Sequence, residues 1–273
     1  MSKKVPIKLR SVQETLLLPL WGRAVETRKR KPLLVDTTAM EIIDTIDYDF
    51  TTIATNISLI TQLAWIARSL HVDRVVREFL ERHPRGTIVN IGCGLDTTYE
   101  RVDNGSLLWY DLDLPDVIAL RRQFVTDGER RRHIASSFLD DAWFAEVKVE
   151  DSILFIAAGV FYYFEENQMK HFLSRLAGLF PGGEVFFDAA SPLGMRTANK
   201  VVIQAGGMDQ NSFLKWGIQS AYDIQSWDSR IRVVEEFPMF KGMKRRVSFK
   251  EKIGTWMSDV LKIMFMVRLV FQK

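Results

Sequence analysis

Two glycines and an aspartate have the types and the spacing of a ligand-binding site. Gly92 and Gly94 follow the β-branched run Thr87–Ile91, and Asp113 lies 19 positions after Gly94, at the end of the next strand-like run. Because glycine has no Cβ, its backbone approaches a ligand closely, and the amides of such a loop form a polar cradle. In α/β nucleotide-binding folds, a carboxylate at this spacing accepts the hydroxyls of a ribose. The pattern therefore predicts an adenosine-type ligand.

The residues beside these glycines distinguish two adenosine ligands. A nicotinamide dinucleotide site favours a third glycine at position 97, but this chain has Thr97 there and Asp96 next to it. A carboxylate repels a pyrophosphate, whereas it tolerates S-adenosylmethionine (SAM), which carries no phosphate. A Gly-x-Gly pair by itself is equally typical of a plain turn. The acid at the strand end therefore favours SAM, with a NAD-dependent oxidoreductase as the alternative.

Other reactive side chains form no recognisable catalytic set. The four histidines are not at metal-ligand spacing, the single cysteine lies inside the glycine loop, and no Gly-x-Ser-x-Gly motif occurs. We therefore expect no metal and leave the catalytic residue unassigned. Tyr162 and Tyr163 follow the fourth predicted strand, and they either shape an acceptor pocket or are ordinary half-buried tyrosines.

The elements that must position these residues alternate between strand and helix. Apolar stripes predict helices over 11–30, 56–82, 115–126 and 165–180, and a further helix lies between the last two strands. The predicted strands are 87–91, 107–111, the neighbourhood of Ile134, 152–157, 184–188, 232–237 and 266–271. This order is typical of an α/β fold, with a parallel sheet covered by helices on both faces.

The composition is that of a globular protein. The chain has 273 residues, of which 47% are apolar and 26% charged, and its net charge of +3 is too small to argue for nucleic acid. No apolar run reaches the ~20 residues of a membrane span. With one cysteine and no signal-peptide pattern, we expect a cytoplasmic protein with no nucleic-acid or membrane partner. The oligomeric state stays open.

The glycine loop and several other segments of the chain resemble those of a known family. Residues 88–98, Ile-Val-Asn-Ile-Gly-Cys-Gly-Leu-Asp-Thr-Thr, resemble motif I of the leucine carboxyl methyltransferase family, which includes the bacterial tetracenomycin-type polyketide O-methyltransferases. The stretches 110–115 and 155–160, Arg68 with Asp73, and the early segment 18–27 agree as well. The resemblance covers about 11–190 and fades in the region where substrate is chosen.

The family resemblance implies a Rossmann-like SAM-dependent methyltransferase fold. Its sheet has seven mostly parallel strands with an antiparallel last strand, preceded here by an N-terminal helical cap. We expect one domain over 1–273, made of the cap (1–86), a SAM-binding core (87–190), a substrate-side insertion (191–230) and closing strands (231–273).

The resemblance also implies where SAM binds. Arg68 corresponds to the arginine that holds the methionyl carboxylate, a role that suits its planar guanidinium. Gly92, with Gly94 in the same loop, corresponds to the glycine beside the methionyl group, and Asp113 to the carboxylate on the ribose. The alternatives are an exposed surface arginine at Arg68, and Asp111 in place of Asp113 on the ribose.

Two further positions are implied by the family pattern. Leu139 and Asp140 correspond to the pair at the edge of the adenine, although an aspartate there is also typical of a helix N-cap. Ala158 occupies the position where the family usually has a glutamate that accepts the ammonium of SAM. A charge-assisted hydrogen bond of roughly 1.5–3 kcal/mol is then missing, unless backbone carbonyls or another acid replace it.

These observations favour a SAM-dependent O-methyltransferase acting on a hydroxyl or carboxylate of a small molecule, for example one of polyketide type. One alternative is methylation of a protein C-terminal carboxylate, and another is a SAM-binding protein without turnover, as Ala158 suggests. In all three hypotheses the cofactor is SAM, and in the first the partner is a small-molecule acceptor.

Overall fold

A seven-stranded sheet forms the centre of the protein in the computed structural model, which describes residues 5–6, 16–200, 213–243 and 248–273. We number its strands β1 (Thr87–Ile91), β2 (Leu108–Asp113), β3 (Arg131–Ala135), β4 (Ile153–Ala157), β5 (Glu184–Ala190), β6 (Ile231–Pro238) and β7 (Met264–Phe271). The order across the sheet is β3-β2-β1-β4-β5-β7-β6. The last strand runs antiparallel to both neighbours, whereas the first five strands are parallel. The predicted fold class is confirmed.

The central strands are apolar because helices cover both of their faces. Every residue of β1, β4 and β5 is buried, which explains why these strands appear in the sequence as nearly continuous apolar runs. The strand order reverses between β1 and β4, which follow one another in space although β2 and β3 intervene in the chain. Ligands of open α/β sheets bind at such a switch point, outside the carboxyl ends of the strands.

Ten α-helices are assigned in the part of the chain that the structure describes. They are α1 (Leu17–Thr27), α2 (Thr37–Thr45), α3 (Thr51–Asn56), α4 (Leu59–Arg82), α5 (Thr98–Val102), α6 (Pro115–Arg121), α7 (Glu166–Leu179), α8 (Pro192–Ala198), α9 (Ala221–Gln225) and α10 (Phe249–Val260). Two 3₁₀ turns cover Ala142–Glu146 and Phe161–Tyr163. A separate parallel pair of two-residue strands joins Val5–Pro6 to Ile46–Asp47.

Several helix boundaries differ from those expected. The long helix begins at Leu59 rather than at position 56, because the Ser58 side chain caps it by accepting a hydrogen bond from the Thr61 amide. The helix that starts at Pro115 stops at Arg121, before the predicted position 126. Helix α2 was not predicted. Of the helix expected over 11–30, residues 11–15 lie outside the described residues.

Apolar clusters on both faces of the sheet hold the helices in place. One face packs against α7 through Met169 and Phe172, and the other packs against α4 through Val75 and Phe79. A third cluster joins α1 and α2 to Leu95, in the loop after β1. The N-terminal helices therefore lie over the carboxyl end of β1, where the ligand site was predicted.

Candidate active site

The loop after β1 has a backbone that requires glycine at both predicted positions. Gly92 and Gly94 have φ values of +60° and +46°. A Cβ on Gly92 would lie 2.5 Å from a methyl group of Val160, and one on Gly94 would lie 2.8 Å from a methyl group of Leu16. Side chains are disfavoured there both by backbone conformation and by space, and both glycines line the cavity described below.

A buried arginine that the sequence did not reveal holds this loop. Arg121 donates hydrogen bonds from Nη1 to the carbonyl of Gly94 (2.8 Å) and from Nη2 to the carbonyl of Asp96 (2.7 Å). It also pairs with the fully buried carboxylate of Asp111 at 3.1 Å, and Arg131 Nε donates to the same carboxylate at 2.7 Å. Asp111 therefore supports the loop from beneath.

The electrostatics of Asp111 follow from these contacts. Burial by itself raises the pKa of Asp111, but the guanidiniums of Arg121 and Arg131 outweigh this effect and hold the pKa below its ordinary value. The carboxylate is thus ionised and saturated with partners, which does not suit a residue that must also receive ribose hydroxyls.

Asp113 lies at the tip of β2 and faces the glycine loop. Its carboxylate accepts hydrogen bonds from the amide of Gly94 at 2.7 Å and from the amide of Leu114 at 2.8 Å. The side chain is mostly buried, and burial raises its pKa. Since each carboxylate oxygen has two lone pairs, Asp113 keeps acceptor capacity for further hydroxyls.

Asp96, the acid that argued against a pyrophosphate, is fixed at the end of the same loop. It accepts hydrogen bonds from the amide and the hydroxyl of Thr98, at 3.0 and 3.1 Å. Burial raises its pKa, but Arg23, Arg101 and Arg121 outweigh that effect and lower the pKa to about 2. The loop therefore carries a permanent negative charge beside the cavity described below.

The N-terminal cap is joined to this loop by buried ion pairs. Arg23 on α1 donates to Asp36 at 2.8 Å and to the carbonyl of Leu95 at 3.1 Å. Arg101 on α5 bridges Asp36 and Asp73, at 2.7 and 2.8 Å. Because charged groups this deeply buried are retained only when paired, the network specifies how the cap sits on the loop.

Arg68 is buried on α4, and its guanidinium contacts residues of β5 and of the segment after β4. Its Nη1 donates to Asp188 at 2.9 Å and to the hydroxyl of Tyr162 at 3.2 Å. Asp188, fully buried on β5, also accepts a hydrogen bond from the amide of Gly159 at 2.6 Å. In the described part of the chain both hydrogen bonds of Arg68 use Nη1. The alternative of an exposed surface arginine is wrong.

A cavity of about 540 Å³ joins these elements. Four of the predicted site residues line it, namely Arg68, Gly92, Gly94 and Ala158. Asp113 does not line the cavity but is hydrogen-bonded to Gly94, which does. Leu139 and Asp140, which follow β3, do not line the cavity either, and Asp140 is exposed.

Asp140 is not a helix N-cap. The residue that precedes the Ala142–Glu146 turn is Asp141, which makes no side-chain cap, so the N-cap alternative for Asp140 is wrong.

Most of the remaining lining of the cavity is apolar, although Ser58, Thr61, Ser69, Asn90, Thr98, Thr197 and Ser258 also contribute to it. The helices α4, α8 and α10 and the segments around Leu214 and Phe240 supply the apolar part, with the side chains Ala64, Trp65, Val72, Leu193, Ala198, Leu214, Met239, Phe240, Met257, Leu261, Ile263 and Met264. Among the described residues, the ionisable side chains that line the cavity are Arg23, Arg68, Cys93, Asp96, Tyr162 and Tyr163. An apolar molecule therefore fits beside a polar, ion-paired wall.

The two tyrosines stay protonated at neutral pH. Burial raises the pKa of Tyr162 well above its ordinary value and that of Tyr163 to about 12. Burial also raises the pKa of the Cys93 thiol. These groups can donate hydrogen bonds but do not accept a proton. Among the lining residues that the structure describes, none has a pKa near neutrality that would suit a general base.

The residues that the structure describes offer neither a metal centre nor a membrane-spanning helix. They contain no group of three or more His, Cys, Asp or Glu side chains placed to hold a metal ion. Within the same residues, no helix combines the length and the apolar character needed to cross a membrane.

Comparison with known proteins agrees with the geometry. The family model for leucine carboxyl methyltransferase matches residues 17–177. The chain is 32% identical to the tetracenomycin polyketide synthesis O-methyltransferase TcmP of Streptomyces glaucescens, over 97% of both proteins. It is 30% identical, over 72% of both proteins, to the S-adenosyl-L-methionine-dependent methyltransferase dpfgK of Gibberella zeae.

A solved structure supports the fold alone. The crystal structure of a DUF574 family protein from Streptomyces avermitilis superimposes with a TM-score of 0.58, at 10% identity, covering 97% of this chain and 100% of that one. The sequence matches show that the cofactor is SAM, in addition to supporting the fold. They exclude the alternative of a NAD-dependent oxidoreductase. The cavity at the carboxyl ends of the strands, the glycine loop that forms one of its walls and the full-length match together show that this chain is a SAM-dependent methyltransferase of the leucine carboxyl methyltransferase family.

Proposed function

We propose that this methyltransferase acts on an oxygen atom, a hydroxyl or a carboxylate, of an apolar small molecule of polyketide type. The observation that carries this proposal is the cavity in which the glycine loop and Arg68 form one wall and apolar side chains of α8 and α10 form the other. The name of the Streptomyces relative, which states O-methylation in polyketide synthesis, supports the same acceptor class.

The residues present fit SAM in the orientation that the family resemblance implies. Arg68 binds the methionyl carboxylate with the guanidinium edge that Asp188 and Tyr162 leave open. Gly92, which lines the cavity, lies beside the methionyl group. Asp113 accepts the ribose hydroxyls, and Leu139 and Asp140 lie at the adenine edge.

The reaction requires little from the protein beyond alignment. When bound, SAM supplies a methyl group already activated by its positively charged sulfur. The chain's own contribution is to hold the acceptor oxygen in line with that methyl group and to exclude water through the apolar wall. A carboxylate reacts without a base, and an acidic hydroxyl loses its proton to solvent; this agrees with the absence of a near-neutral base among the described lining residues.

Methyl-labelled SAM tests the acceptor class. The full chain is incubated with phenols, aromatic carboxylic acids, amines and a peptide that ends in a free leucine carboxylate, and the product is identified by mass spectrometry. We expect label on the oxygen of phenols or aromatic acids. Label on nitrogen, or on the peptide alone, would contradict the proposal.

Asp113→Ala tests the ribose contact. We expect the Kd for SAM to rise about thirtyfold, because hydrogen bonds between hydroxyls and a carboxylate contribute roughly 1.5–3 kcal/mol each. The Gly94 amide, which no longer donates to Asp113 in this variant, can donate to the ligand and so recover part of the lost binding energy. Calorimetry with SAM measures the change. Asp116→Ala, which removes an exposed acid three positions along the chain, is the matched control and should leave the Kd unchanged. An unaltered Kd in Asp113→Ala would show that another residue holds the ribose.

Ala158→Glu tests the missing ammonium contact. Ala158 lines the cavity directly after β4, so a glutamate there has room to reach the amine of SAM. We expect SAM to bind about tenfold more tightly, as one charge-assisted hydrogen bond allows. Ala158→Gln provides a control of the same size without the charge. Equal affinities for the wild type and Ala158→Glu would show that backbone carbonyls already satisfy the ammonium.

A further inference from the structure

Helix α10 turns an apolar stripe toward the outside of the protein. Phe249, Ile253, Trp256 and Val260 are 76, 49, 53 and 62% exposed, and they recur every three or four residues along one side of the helix. The opposite side faces the protein, where Thr255 is fully buried. This is the reverse of an ordinary surface helix, which packs its apolar stripe on the core.

The stripe continues into the mouth of the cavity. Met257 on α10 and Leu261, which directly follows the helix, lie beside the stripe, and both are exposed while lining the cavity. Ile60 at the start of α4 and Leu193 on α8 are also exposed and line the same cavity. The apolar surface therefore surrounds the opening through which an acceptor must pass, and it extends outward along α10.

A lysine borders the stripe on each side near the start of the helix, and Asp259 near its end accepts a hydrogen bond from the Phe240 amide. At 100° per residue, Lys250 and Lys252 lie on opposite flanks of the line through Phe249 and Trp256, and both lysines are exposed. The acid between them, Glu251, is occupied in the capping box with Ser248. By sequence, residues 241–252 contain six Lys or Arg and one Glu, so this short stretch carries more net positive charge than the chain as a whole.

We propose that α10 and the rim of the cavity, meaning Ile60, Leu193, Met257 and Leu261, dock on an anionic lipid surface. The apolar stripe lies at the boundary between headgroups and acyl chains, and the flanking lysines contact the anionic headgroups, as in other interfacial amphipathic helices. This is peripheral contact and requires no membrane-spanning helix. It revises the expectation, drawn from composition, that the protein has no membrane partner.

Docking through α10 would also affect how the acceptor reaches the active site, because the mouth of the cavity lies beside this helix. With α10 on the lipid, the cavity mouth faces the membrane, so an apolar acceptor passes from the lipid into the site without crossing water. This route for the acceptor rests on the proposed function. The docking surface itself does not, because it follows from the exposure and charge of α10.

Vesicle binding by the full chain tests the docking surface. The probes are vesicles of equal parts phosphatidylglycerol and phosphatidylcholine, and vesicles of phosphatidylcholine alone, in a sedimentation assay without acceptor. We expect tighter binding to the anionic vesicles, weakened by salt. Ile253→Ser/Trp256→Ser should weaken binding about tenfold or more, because two large side chains no longer enter the lipid. Lys250→Gln/Lys252→Gln should weaken it about tenfold at low salt.

The matched control is Val149→Ser/Leu179→Ser. These two side chains are comparably exposed. Val149 precedes β4 and Leu179 ends α7 before β5, so both lie toward the amino ends of the strands, whereas the cavity lies at the carboxyl ends. An unchanged Kd for SAM verifies that each variant is folded. The proposal is overturned if the wild type does not bind anionic vesicles, or if Ile253→Ser/Trp256→Ser binds them as well as the wild type does. It is also overturned if light scattering shows a dimer that this variant dissociates, because a second copy would then cover the stripe.

Discussion

Replacing Arg68 with methionine should weaken SAM binding by about a hundredfold or more, the largest loss of affinity that we expect from a single substitution. Two charge-assisted hydrogen bonds to a carboxylate are lost, each contributing roughly 1.5–3 kcal/mol. Arg68 lines the cavity, and its pairing with Asp188 and Tyr162 holds the guanidinium in place before the ligand arrives. Calorimetry with SAM measures the loss.

The same substitution should also destabilise the fold. Asp188 is fully buried, and Arg68→Met leaves its charge without a cation, which typically costs 3–5 kcal/mol. The double variant Arg68→Met/Asp188→Asn removes the unpaired charge, and the asparagine carbonyl can still accept the Gly159 amide.

The single and double variants should therefore differ in stability but share a low affinity for SAM. We expect urea unfolding to show that the double variant regains most of the lost stability, while its SAM affinity stays low. A double variant that binds SAM as tightly as the wild type would show that Arg68 supports the fold and does not hold the methionyl carboxylate.

Asp111→Asn should lower the free energy of unfolding by about 3–5 kcal/mol, the largest effect on stability that we expect outside the Arg68–Asp188 pair. The carboxylate neutralises Arg121 and Arg131, both of which are buried, and arginine does not lose its proton in proteins. Removing the negative charge therefore leaves Arg121 without its carboxylate partner and Arg131 with Glu100 alone. Urea unfolding at neutral pH measures the change.

An exposed ion pair provides the control for Asp111→Asn. Asp44 pairs with Arg28 where both side chains are largely exposed, and such pairs contribute little because water and salt screen them. Asp44→Asn should therefore leave the unfolding midpoint nearly unchanged. If Asp111→Asn behaves in the same way, the two arginines have other compensation and the cluster does not support the glycine loop as inferred.

The strands were predictable because their signals are local. The fully buried strands β1, β4 and β5 consist mainly of apolar residues, among them Val, Ile and Phe, and Gly92 and Pro181 mark where the chain must turn. Helix α2 was missed because its stripe is short and becomes meaningful only where it packs on α1.

The candidate site was predictable where its residues follow a strand directly. Gly92, Gly94 and Asp113 are adjacent to strand ends, so their positions follow from the strand pattern and the geometry of a parallel sheet. Arg121 and Asp188 carried no comparable signal. Arg121 reaches the carbonyl of Gly94 from 27 positions away, and Asp188 pairs with Arg68 across 120 positions.

Residue types and their spacing along the chain determined the class of sheet, the ligand-binding loop and the preference for a cofactor without phosphates. These properties depend on periodicity and on neighbours within a few positions. Only the tertiary structure decided that Arg68 is buried against Asp188, that Asp111 supports the loop from beneath while Asp113 faces it, and that α10 exposes its apolar side. The physical reason is that burial and ion pairing depend on which distant segments pack together, and no local pattern records that.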